Sequence, residues 1–283
     1  MRLLFVFSVV LLIFNCSVNQ PPAIQNPHNS EDSISLAVAD SFWTLRAEPA
    51  FANRALAAYQ HLSEMDSTSI ELWSKLSHAY YYSAQYLVFE TVQKDSLFLR
   101  GYEASQIILA QNSNYRSLLF STGEESMAIR GLDSRFIDAL YWGMANYGQW
   151  LSTKGALVRL GQRDLHWTTL EHINDLDSNY YYGAYYRYKG SLLARDPATQ
   201  SDTLAIQEAF ENAIRIAPEY LGNYTLMAMF YCPLTKDKDL FYQLLTRVVT
   251  ANLDKSLSYY PENLFEKNLA DKLMIKAEKE NWF

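Results

Sequence analysis

The 283-residue sequence predicts an all-α protein made of successive helix pairs, and three observations carry that expectation. Breakers are few: 49% of the residues are hydrophobic, against only 10 Gly and 8 Pro. No alternating Val/Thr-rich runs occur of the kind that a half-buried strand needs. Apolar residues instead recur at three- and four-residue spacing, as in Leu72, Trp73, Leu76, Ala79 and Tyr80, which gathers them on one helical face.

The chain opens with Arg2, then the apolar run Leu3–Phe14, then Cys16. That order reads as a bacterial lipoprotein signal over residues 1–15, cleaved so that lipidated Cys16 becomes the first mature residue. The run is too short to span a bilayer, which takes about 20 apolar residues. Asn15 stands where such signals prefer Gly, Ala or Ser, and the competing reading is a plain secretory signal with Cys16 discarded or left as a thiol. Ser17 is not the inner-membrane retention aspartate, which points to the periplasmic side of the outer membrane, with inner-membrane anchoring as the alternative. Two or three acyl chains suffice for stable anchoring.

Residues 16–34 read as a flexible tether, polar and holding Pro21, Pro22 and Pro27. Residues 35–283 form the helical domain. Cys232 is the one other cysteine, so with Cys16 modified the domain has no internal disulfide and relies on its core. A net charge of −7 without a basic block argues against nucleic acid, whose phosphates require clustered Lys and Arg.

Helix boundaries are expected at Ala47–Pro49, Asp66–Thr68, Gln111–Ser113, Gly131–Asp133, Asp175–Ser178, Asp196–Asp202 and Pro233–Asp239. Several supply a Ser, Thr or Asp suited to an N-cap, and Pro49 suits a first turn. The segments between them repeat. Trp73, Leu76, Ser77 and Tyr80 follow the first-helix spacing of a tetratricopeptide repeat, large, apolar, small and aromatic at 4, 7, 8 and 11. Phe210, Ala213 and Pro218 follow the second-helix spacing at 24, 27 and 32. Directly afterwards Tyr224, Met227, Ala228 and Tyr231 fall again on 4, 7, 8 and 11. Small residues let paired helices approach and bulky ones fill the gap to the next pair. One repeat cannot bury its own face, so an α-solenoid of about four pairs is expected.

Catalytic motifs are absent: there is no P-loop, GxGxxG, GxSxG or HExxH. His61 and His78 stand singly, and His166 and His172 are six apart, on different helical faces. No metal, cofactor or enzymatic activity is expected. Cys232, within Phe230–Pro233, is expected to be buried and inert.

The distinctive signal is aromatic. Among 21 tyrosines are Tyr80–Tyr82 and the run Tyr180, Tyr181, Tyr182, Tyr185, Tyr186 and Tyr188. As one helix, the second run would place tyrosine around roughly two-thirds of the circumference. Such rings suit a ligand cleft or an interface, and equally suit repeat positions facing neighbouring helices. In Ala139–Trp150, Gly143 and Gly148 thin the helix surface, while Trp142 and Trp150 stand about two turns apart, roughly on one face. That combination suits the wall of a groove or pore.

Taken together, the lipoprotein start, Ala139-Leu140-Tyr141-Trp142, Tyr180-Tyr181-Tyr182-Gly183 with Gly190, Glu208–Pro218 with Tyr220-Leu221, and Asp239-Leu240-Phe241 through Val248-Val249 to Asn268-Leu269-Ala270 resemble the TRAP-transporter T-component family of periplasmic lipoproteins. The family's Gly-rich turns are replaced here by Ala184-Tyr185 and Thr199–Asp202. The resemblance implies a tetratricopeptide-like, non-enzymatic auxiliary protein. It further implies a homotrimer, association with the periplasmic substrate-binding (P) component of a TRAP transporter, and a pore or cleft for a hydrophobic small ligand. Trp142, Trp150, Tyr181, Tyr182 and Tyr185 are then the candidate lining residues. Two other readings stand beside it: a generic repeat scaffold lipoprotein for envelope assembly, and an enzyme with a site built from scattered residues.

Overall fold

The computed structural model describes residues Ile34–Phe283. The signal, Cys16 and the tether up to Ser33 lie outside the described residues.

Fourteen α-helices and no strand occur among the described residues. The N-terminal helices are α1 (Leu36–Thr44), α2 (Pro49–Met65), α3 (Ile70–Tyr82) and α4 (Thr91–Leu109), with a π-turn at Ser83–Leu87 after α3. The short α5 (Ser113–Thr122) and α6 (Glu125–Ile129) lead to α7 (Ile137–Ser152), α8 (Ala156–Gly161) and α9 (Arg163–Leu176). The chain ends in α10 (Tyr180–Arg195), α11 (Thr203–Ile216), α12 (Gly222–Thr235), α13 (Lys238–Thr250) and α14 (Tyr260–Lys279). Side chains cap many of these starts: Ser69, Asn112, Asp202 and Asp237 each accept a backbone N–H from the first turn, and Pro49 opens α2.

The helices pack as five successive pairs, α1/α2, α3/α4, α7/α9, α10/α11 and α12/α13, with α14 laid against the last. This is one pair more than the repeat spacing counts. The repeat residues build the core: Leu76, Ser77, Tyr80, Phe210, Ala213, Tyr224, Met227, Ala228 and Tyr231 are all buried. Each large apolar side chain removed from water contributes roughly 1.5–3 kcal/mol before entropy is counted.

The closest approach is between α4 and α7. A Cβ on Gly143 would lie 2.2 Å from Ser105 Oγ, and one on Gly101 would lie 2.4 Å from the Asn146 side chain. Gly143 therefore serves helix packing at this crossing.

Two sequence expectations change. α12 continues through Pro233 to Thr235 and stops at Lys236, whose φ is +59°, so the break is shorter than Pro233–Asp239. More consequential is α10. Tyr181 (φ 41°), Tyr182 (φ 59°) and Gly183 (φ 78°) are left-handed, so the regular helix begins only after them. Tyr185, Tyr186 and Tyr188 lie on that helix, whereas Tyr180–Tyr182 project from a left-handed turn. Left-handed backbone costs an L-residue about 1–2 kcal/mol, and tertiary contacts must offset it. Arg187 does so by donating from Nη1 to the Tyr182 carbonyl at 3.0 Å and from Nη2 to the Tyr181 carbonyl at 3.3 Å. Asn223 Nδ2 adds a third bond to Tyr182 O at 3.3 Å. Gly183 itself sits against α11, where a Cβ would meet Ala213 Cα and O at 3.0 Å.

The two ends of the helical array meet. Arg46, between α1 and α2, pairs with Glu262 of α14 at 2.8 Å, both side chains being almost fully buried. Beside it, Tyr86 stacks on Phe265 with ring centroids 4.6 Å apart, and Tyr82 meets the same ring edge-on at 5.9 Å.

Candidate functional site

The first helices of the pairs turn aromatic side chains toward one another. From α3, His78 stacks on Trp142 of α7, with centroids 3.4 Å apart and planes 11° apart. Tyr181 meets Trp142 and His78 edge-on, at 4.9 and 5.9 Å, and Tyr141 at a tilt, at 5.1 Å. Tyr182 stacks on Tyr220 at 5.0 Å and meets Tyr259 at 4.8 Å, while its hydroxyl bonds to Ser258 Oγ at 2.8 Å. The backbones of α7 and α10 barely touch, and the rings span the gap between them.

Several of these groups are strongly desolvated yet keep solvent-accessible surface. Burial raises the Tyr81 phenol to about 12, lifts Tyr86, Tyr181 and Tyr188 well above the ordinary phenol range, and holds His78 well below the ordinary imidazole value. All five are only partly buried by exposed surface. Protein crowds each of these side chains, yet each keeps part of its surface accessible. His78 is thus an uncharged aromatic ring at neutral pH, stacked on Trp142.

Charge is placed at the margins of this lining. The guanidinium of Arg46 lies 4.6 Å from the Trp43 ring centre and is neutralised by Glu262. Arg187 is buried, and among the described residues no carboxylate is in ion-pair contact with it. It bonds to Tyr141 Oη and Asn223 Oδ1, each at 3.0 Å, and lies over the Tyr220 ring at 4.8 Å. Burial raises the Glu266 carboxyl to about 7, against opposing effects from its Thr225 hydrogen bond and from Arg187. On the outer side of the left-handed turn lies an open depression of about 620 Å³, lined by Asn179, Tyr180, Tyr181, Tyr182 and Arg215. Tyr181 therefore stands between that depression and the inner lining.

The five predicted lining residues do not form one group. Trp142, Tyr181 and Tyr182 belong to the inner cluster. Trp150 instead stacks on Tyr147 at 5.7 Å and lies 4.5 Å from Lys154 Nζ, in a separate patch with His166. Eight residues advance a helix by about 80° beyond two full turns, which takes Trp150 off the Trp142 face. Tyr185 is buried and donates its hydroxyl to Glu171 at 3.0 Å. Cys16 lies outside the described residues. Cys232 is buried and its thiol is raised to about 12, which leaves it protonated.

Sequence reasoning missed His78, Arg46, Arg187, Glu262, Glu266 and Tyr220. Two signals were available. His78 shares a helical face with Tyr81 and Tyr82, and Glu262 and Glu266 stand four apart on one face of α14.

The family model for the TRAP transporter T-component matches residues 55–283. The chain belongs to the TRAP transporter T-component family. A search of curated proteins finds no match. Membership makes this T-component an auxiliary part of a TRAP transport system, a transport accessory that works in the periplasm or at the membrane. Among the described residues, no helix is long and apolar enough to cross a membrane. The matched region takes in every pair from α3/α4 onward, together with the inner cluster from His78 to Glu266. Of the residues singled out above, Cys16, Trp43 and Arg46 lie outside it.

Proposed function

We propose that this T-component binds the periplasmic substrate-binding (P) component of a TRAP transporter and receives or passes a hydrophobic small ligand along its inner aromatic lining. One observation carries the ligand part: Tyr81, Tyr86, Tyr181, Tyr188 and His78 are crowded by protein, uncharged and still partly accessible. An apolar or aromatic ligand loses little hydration there and gains ring contacts. Tyr181, on a strained turn that lines the outer depression and meets Trp142, would act as the entrance. Lipidation at Cys16 would hold the domain at the periplasmic face of the outer membrane, and a homotrimer would present several such interiors to the partner.

The ligand part is tested by fluorescence titration with 1-naphthol. Tyr181→Ala and Trp142→Ala, both verified as folded by circular dichroism, should weaken binding at least tenfold; unchanged affinity in folded variants overturns it. Capture of the P component by the native lipoprotein tests the partner, and absence of that protein from the captured material overturns it. Palmitate incorporation, lost in Cys16→Ser, tests the anchor, and light-scattering mass tests the trimer.

A further inference from the structure

A second cavity lies away from the aromatic interior, between the end of α7, α8, the start of α9 and the end of α10. It encloses about 500 Å³. Its apolar surface comes from Leu151, Leu160, Trp167 and Leu192, one from each of the four helices. Three arginines, Arg159, Arg163 and Arg195, line it together with one acidic residue, Asp196.

These arginines differ in what neutralises them. Arg163 pairs with Asp196 at 2.7 Å. Neither Arg159 nor Arg195 has a carboxylate in ion-pair contact among the described residues. Arg195 is also held in position: its Nε donates to the Ser191 carbonyl at 3.2 Å, and its guanidinium lies 5.3 Å from the Phe230 ring centre. Burial, with Arg159 nearby, pulls its ionisation below the ordinary guanidinium value, against an opposing effect from Tyr188. The two like charges at one apolar-walled cavity repel each other, and crowding by protein opposes the charge on Arg195 although part of its side chain stays exposed. A ligand that supplies one negative charge relieves both penalties, and its apolar part covers the leucines and Trp167. A guanidinium also matches the planar geometry of a carboxylate.

We propose that this cavity binds an amphipathic carboxylate, with its carboxylate set between Arg159 and Arg195 and its apolar chain or ring laid on Leu151, Leu160, Trp167 and Leu192. The site is separate from the lining assigned to the hydrophobic ligand. It stands whether or not that assignment holds.

Isothermal titration of the full domain with decanoate tests the proposal, with decanol as the uncharged control. Decanoate should bind at least tenfold more tightly than decanol. The double variant Arg159→Ala/Arg195→Ala should lose that preference, while Trp142→Ala, altered in the other site, should keep it. Leu160→Glu provides a second variant at an exposed position, so folding is not at issue; it places a repelling carboxylate in the cavity and should abolish decanoate binding. Equal affinity for decanoate and decanol in the native domain overturns the proposal. So does decanoate binding that survives both the double variant and Leu160→Glu, or that disappears in folded Trp142→Ala.

Discussion

Arg46 and Glu262, 216 positions apart, form a bidentate pair: Nε reaches Oε1 at 3.0 Å and Nη2 reaches Oε2 at 2.8 Å. Nη1 also donates to the Trp43 carbonyl, and the Arg46 carbonyl accepts from Tyr82 Oη at 2.9 Å. The pair joins the first helical connection to the last helix. Removing one partner leaves a buried charge unpaired, so Arg46→Met should cost about 3–5 kcal/mol in urea unfolding. The double variant Arg46→Met/Glu262→Leu should recover most of that loss, because no lone charge remains. A double variant no more stable than the single one would show that the worth of Arg46 lies in its further side-chain bonds to the Trp43 and Ser258 carbonyls.

Gly183 should tolerate no side chain. Its φ of 78° is unfavourable for any L-residue, and a new Cβ would stand 3.0 Å from Ala213 backbone atoms. Gly183→Ala is expected to lower stability by about 1–3 kcal/mol, read from the denaturant midpoint. Because the same turn carries Tyr181 and Tyr182, near-ultraviolet dichroism should change with it.

The α4–α7 crossing predicts a rescue. Gly143→Ala places a methyl 2.2 Å from Ser105 Oγ and 2.8 Å from Ser105 Cβ, and overpacking of this kind costs about 1–3 kcal/mol. Ser105→Gly removes both opposing atoms. The Gly143→Ala/Ser105→Gly protein should therefore be more stable than Gly143→Ala alone, with a coupling energy of about 1 kcal/mol or more in a double-mutant cycle.

Glu266 predicts a pH dependence. Its folded value, raised to about 7 by burial, lies above the ordinary carboxyl value of 4.5. The folded state therefore holds the proton more tightly than the unfolded chain. Below about pH 4.5 both states are protonated and the group imposes no cost. As pH rises from there to about 7 the unfolded chain ionises first, and stability falls by an amount on the order of 3 kcal/mol. Glu266→Gln should remove this slope: the variant should gain on the native protein at pH 8 and lose that advantage at pH 5, as read by thermal melting at both values. An unchanged difference between the two pH values would falsify the assignment.

Much of the fold was legible because it rests on local rules. Ser69, Asn112, Asp202 and Asp237 announce helix starts through hydrogen bonds that reach only three residues. The repeat spacing of Trp73 to Tyr80 and of Tyr224 to Tyr231 marks which face is buried. The candidate site was legible only in part. Trp142, Tyr181 and Tyr182 were picked out by aromatic density, but the same signal also selected Trp150 and Tyr185, which pack elsewhere. Aromatic count reports the amount of ring surface and not its direction. Helical phase separates Trp150 from Trp142, and the left-handed turn separates Tyr181 and Tyr182 from Tyr185.

By itself, the sequence determined an all-α chain of paired helices, most of their boundaries, and the resemblance to T-components. Composition, caps and periodicity act within a few residues, so one chain is enough to read them. The tertiary structure alone decided that Tyr181–Gly183 turns left-handed, that His78 lies flat on Trp142, that Arg46 finds Glu262, and that Arg159 and Arg195 border one cavity. Each of these depends on groups distant in sequence. The strained turn persists because Arg187 and Asn223 hold its carbonyls. Arg46 and Glu262 are accommodated in the interior because each finds the other as a partner. No local rule places those partners; packing of the complete helical array does.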